Sequence, residues 1–106
     1  MKIKEIMKDW EKRGELILKI IEELNSCPTG QNWGVLVWED GSVSSMLVSG
    51  YGGEQDGDNP VIIFKRDGFG DEDLDDTDAD LFDWFEEEIN EAIKEREKEE
   101  GVITWR

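Results

Sequence analysis

From Ile3 to Leu24 the apolar positions Ile3, Met7, Trp10, Gly14, Ile17, Ile21 and Leu24 recur four and three residues apart in alternation, and Ile6, Leu18 and Ile20 widen the stripe. A period of about 3.6 residues predicts one amphipathic helix. Gly14 on that stripe costs about 1 kcal/mol against alanine, so a close approach by another element, or a bend, is expected there. Asn25 and Ser26 end the period and Pro28 forbids its continuation. With only three heptads, the stripe favours packing on a sheet or a second helix over a coiled-coil seam.

The pattern then changes. Trp33 to Glu39 is rich in Val, Leu and Trp, Asp40-Gly41 is a turn dipeptide, and Val43 to Val48 returns, so residues 32–51 read as a β-hairpin. A two-residue turn pairs Glu39 with Ser42, Trp38 with Val43, Leu36 with Ser45 and Gly34 with Leu47. One face then holds Leu36, Trp38, Val43 and Leu47, and the other Trp33, Val35, Val37, Met46 and Val48. Only one of these can meet the helix; the other packs on a second helix or stays open as an apolar patch.

Gly50 to Asn59 reads as a connection, and its Glu54, Asp56 and Asp58 are the wrong sign for a phosphate-cradling glycine loop. Pro60 to Arg66 is a third strand, with proline at its tolerated first position. Thr77 as N-cap with Asp80 three residues on opens a second helix from about Asp78 to Glu99. At 100° per residue Phe82, Phe85, Ile89, Ala92, Ile93 and Arg96 share one arc, with Leu81 at its edge, and Asp80, Asp83, Glu87 and Glu91 share the opposite arc with Trp84 among them. Gly101 ends the helix, and Val102 to Trp105 is a short strand that must join a sheet edge. The expectation is one α+β domain over residues 1–106, a small antiparallel sheet with two helices in the order α-β-β-β-α-β.

Charge sharpens this picture. The 106 residues carry a formal charge of −16. Residues 1–37 are neutral, so the whole imbalance lies beyond them, and Asp67 to Glu91 holds 13 carboxylates in 25 residues without a Lys or Arg. A halophile's acid would be spread over every face. Such a balance excludes direct binding to nucleic acid or anionic membrane through a basic footprint. Cys27 is the only cysteine, which precludes an intrachain disulfide and suits a reducing compartment. It has no base beside it in sequence and is expected to be structural. The N-terminus has no signal-like apolar region, and no run approaches the ~20 apolar residues of a membrane span, so a soluble, cytoplasmic protein is expected.

Catalytic chemistry is thin. There is no histidine for a triad or an imidazole base, the serines of the hairpin lack a paired base, and a sugar-sized cleft between two acids is not expected of so small a core. The expectation is a protein that is not an enzyme and uses no cofactor. The alternative ligand is a divalent cation such as calcium or magnesium. Asp71, Asp73 and Asp75 match the first alternating positions of an EF-hand loop, but Asp76 replaces its glycine and Phe82 its bidentate glutamate, leaving at most a weak site in the Asp71–Asp80 loop.

The remaining reading is an interaction surface. On one helix face, carboxylates three and four apart sit about 5–6 Å from one another, close to the spacing of successive phosphates. Asp76, Asp80, Asp83, Glu87 and Glu91, with Glu88 beside them, then form a phosphate-like row around Trp84, and an exposed Trp among acids is hot-spot composition. In its size, charge and DEDLDDTDADLFDWFEEEINE segment the chain resembles the class of small acidic DNA mimics and nuclease-neutralising proteins, including phage anti-CRISPR and toxin-immunity proteins. The resemblance implies a stoichiometric inhibitor or decoy whose partner is a basic protein, a nuclease or another nucleic-acid-binding protein. The plainer alternative is a structural or assembly protein whose acidic face is simply solvated.

Overall fold

The computed structural model describes residues 1–48, 60–70, 74 and 79–106. The chain is an α+β domain. Among the described residues, the helices α1 (Lys2–Lys8), α2 (Trp10–Ser26) and α3 (Ala79–Lys98) accompany the strands β1 (Trp33–Val37), β2 (Val43–Leu47), β3 (Ile62–Lys65) and β4 (Thr104–Trp105), and a 3₁₀ turn at Arg66–Gly68 follows β3. The expected connection over Gly50 to Asn59 and the expected cap at Thr77 lie outside the described residues.

The expected first helix is broken in two. Asp9 takes an extended backbone (φ −95°, ψ 119°), and its Oδ1 accepts from the N–H groups of Glu11 and Lys12 at 3.0 and 3.2 Å. An N-cap of this kind satisfies donors that a helix start otherwise leaves open. The break resets the phase of the stripe. Ile3 and Met7 are buried from α1, and Leu16, Ile17, Ile20, Ile21 and Leu24 from α2. Trp10, expected on the buried stripe, is instead 77% exposed, and Leu18 is exposed as well.

The strands lie in the order β2-β1-β3-β4. Both pairs made by β1 are antiparallel, whereas β4 runs parallel to β3, so the expected all-antiparallel sheet carries one parallel edge. The hairpin register differs by one residue from the expected one: Val37 pairs with Val43, Val35 with Ser45 and Trp33 with Leu47. The loop has three residues, Glu39 to Gly41, closed by Trp38 N–H donating to the Ser42 carbonyl and Gly41 N–H to the Trp38 carbonyl, each at 3.0 Å. Only Gly41 of the three adopts a positive φ, +87°. A two-residue type I′ turn needs positive φ at both central residues, whereas a three-residue loop needs it only at the last.

A one-residue shift exchanges faces. Val43 joins Val35 and Val37 on the face that meets the helices. There Ile17, Ile21 and Leu24 of α2 and Phe85, Ile89 and Ile93 of α3 pack on Val35, Val37, Ile62 and Phe64 in one core. Both α2 and α3 therefore cover the same face. On the other, Leu36, Ile63 and Val48 form a small second cluster, against which Trp38, Ile103 and Trp105 pack while remaining half-buried. Trp38 Nε1 donates to Ser44 Oγ at 3.2 Å, and Lys65 Nζ sits 5.2 Å from the centre of the Trp105 ring.

Arg96, on the inward arc of α3, is buried. Its guanidinium donates to the carbonyls of Val102 (2.9 Å) and Pro60 and to Glu39 Oε1 (3.1 Å), fastening α3 to the hairpin loop, to the start of the β3 segment and to the approach to β4. A buried charge is tolerated when paired and hydrogen-bonded in this way. The hairpin loop is also tied to α1 through Ile3 N–H, which donates to the Glu39 carbonyl at 2.7 Å.

Candidate partner-binding surface

The apolar arc of α3 fixes the orientation of the helix, and burial of Phe85, Ile89, Ala92, Ile93 and Arg96 turns the opposite arc outward. Asp80, Asp83, Glu87 and Glu91 are all exposed. Asp76, the expected first member of the row, lies outside the described residues. So do Asp71, Asp73 and Asp75, and among the described residues no cluster of three metal-ligating side chains occurs.

The row is not uniform along the helix. Towards the C-terminal end its carboxylates meet cations. Arg106 Nε pairs with Glu88, whose side chain is only 16% exposed, and Arg106 Nη2 lies 3.6 Å from Glu91. Lys4 Nζ lies 2.8 Å from Glu97, which raises the Lys4 pKa and lowers that of Glu97 through their hydrogen bond, and Lys98 lies 3.9 Å from Glu95. On the flank facing α2, Arg13 Nη1 lies 3.1 Å from Glu86 Oε1. Among the described residues, Asp80, Asp83 and Glu87 have no Lys or Arg nitrogen within 4.0 Å. The structure therefore brings Asp80, Asp83 and Glu87 together as an open acidic patch on the N-terminal half of α3, and sets Glu88 apart as a half-buried ion-pair partner.

Trp84 sits on the flank of α3 that faces β3. Its ring meets Phe85 edge-on (5.1 Å, 81°) and Phe69 edge-on (5.5 Å, 86°), with Phe64 at 6.0 Å. These contacts hold the indole in place, yet 37% of the residue remains exposed. What the sequence did not reveal is Phe69 as the underlying platform: it follows Gly68 in what reads as a loop break, and no periodicity marks it. The exposure of Trp10 was also missed, although the Asp9 cap immediately before it was a readable signal.

Cys27 is buried at the C-cap of α2, and its Sγ–H donates to the Glu23 carbonyl at 3.2 Å. Burial, and then the nearby Glu23, raise its pKa, which disfavours the nucleophilic thiolate. Comparison of the chain with protein families, with curated proteins and with solved structures finds no match.

Proposed function

We propose that this protein is a non-catalytic acidic inhibitor or decoy that occupies a basic, nucleic-acid-binding surface of another protein, such as a nuclease, by presenting phosphate-like charge. The observation that carries this reading is the open patch of Asp80, Asp83 and Glu87 beside a held but partly exposed Trp84. Carboxylates without internal cations keep their field for a partner and steer encounter, while a rigid aromatic ring supplies contact area at little entropic cost. The ion-paired C-terminal half of α3 belongs to the scaffold that holds this patch.

The test is to recover the binding partner and measure competition with DNA. Affinity should fall steeply as salt rises. Reversal of Asp80, Asp83 and Glu87 to lysine should abolish binding and leave the domain folded, because relief of like-charge repulsion at exposed positions offsets the loss of a first-turn acid at Asp80. Salt-insensitive binding, or binding that survives the reversal, excludes the proposal.

A further inference from the structure

A groove of about 450 Å3 lies between α2 and the first two turns of α3. One wall is the row Trp10, Gly14 and Leu18, spaced four residues apart on α2, and Phe82 lies on the opposite wall. This is the most exposed apolar material among the described helices: Trp10 is 77% and Leu18 45% exposed. Between them the ridge has a gap. A Cβ built on Gly14 meets nothing within 4 Å among the described residues, so neither the close approach nor the packing that would explain a mid-helix glycine is made by them. The notch opens outward.

The rim is acidic. Glu11 and Glu15 border the groove from α2, and Asp83 and Glu86 from α3. Among the described lining residues the cation is Arg13, which is engaged by Glu86 at 3.1 Å and by the Met7 carbonyl at 3.3 Å. Charge complementarity selects the occupant. A lipid headgroup surface, anionic like the rim, is repelled, and the same holds for a second copy presenting its own acidic α3. An apolar side chain carried on a Lys- or Arg-rich segment satisfies both floor and rim.

We infer that the Gly14 notch is a docking site for an apolar side chain of a basic protein segment, with Trp10, Leu18 and Phe82 as its walls. The inference rests on the proposed binding of a basic partner and adds where, and through what kind of side chain, that partner is anchored. Asp83 belongs both to the groove rim and to the open patch, so the two surfaces are continuous.

The test uses two synthetic peptides of equal length and charge, one of lysine with leucine at helical spacing and the other of lysine with serine, titrated calorimetrically into the full chain at low salt. The leucine peptide should bind at least about tenfold more tightly. Gly14→Leu, which fills the notch, should erase that preference while leaving the lysine–serine peptide's affinity and the melting temperature unchanged or higher. Trp10→Ser, at an exposed position, should weaken the preference independently. Equal affinity of the two peptides, or a preference retained in Gly14→Leu, overturns the docking site and leaves the acidic-patch reading standing. Failure of both peptides to bind overturns both. Concentration-dependent dimerisation abolished by Gly14→Leu would assign the notch to a second copy and overturn the inference.

Discussion

Phe85 and Trp84 are neighbours in sequence with different duties. The Phe85 ring is fully buried, 5.0 Å from Phe64 and stacked at 5.8 Å on Phe69. Removing it in Phe85→Ala should cost about 3–5 kcal/mol in urea unfolding. Trp84→Ala forfeits two edge-on contacts at about 0.5–1.5 kcal/mol each, so a smaller loss is expected, with partner binding falling more than stability. Asp40 carries a pH dependence of its own. Its carboxylate accepts from the Ser42 hydroxyl at 2.6 Å and the Ser42 N–H at 2.9 Å, and these hydrogen bonds lower its pKa. A lowered folded pKa contributes stability that is present above the ordinary carboxylate range and is lost as pH falls through the folded value. Asp40→Ala should therefore remove part of the loss of melting temperature on acidification below that range; an unchanged acid limb would show the turn hydrogen bonds to be dispensable.

Among the elements, α1 and α2 show how one side chain overrides a pattern. The stripe from Ile3 to Leu24 is continuous in sequence, but Asp9 gains more by capping a new helix than by continuing the old one. Asp9→Ala should lower stability by about 0.5–2 kcal/mol, measured by denaturant titration. Element order, the third strand, the acid row of α3 and the buried arc that includes Arg96 were all legible, because each rests on periodicity and turn chemistry. The hairpin register was not, because Asp-Gly suits both a two-residue and a three-residue loop, and the choice depends on whether Asp40 adopts positive φ. The platform beneath Trp84 was equally hidden, since Phe69 reaches it through a tertiary contact between the end of the β3 segment and α3. The parallel edge strand follows from where α3 delivers Val102, and that depends on the Arg96 contacts with Pro60 and Val102.

For the molecule as a whole, charge is arranged by partnering. Ion pairs gather where α1 and the last described residues meet the C-terminal half of α3, and the N-terminal half keeps its field. The open patch and the acidic-rimmed groove adjoin there, with the Arg13–Glu86 pair on the groove rim joining α2 to α3. The sheet order has a further consequence, in the time domain. β1 and β3 are central, and every residue from Gly34 to Val37 and from Ile62 to Phe64 is buried, whereas β2 lies at an edge with Met46 and Leu47 exposed. In native-state hydrogen exchange the β1 and β3 amides that bond across the sheet should open only with global unfolding, and those of β2 through smaller local fluctuations. Protection of β2 equal to that of β3 would contradict this. The same gradient places Phe64, against which Trp84 and Phe85 of α3 pack, in the slowest-exchanging part of the sheet, so the indole beside the acidic patch rests on a support that opens last.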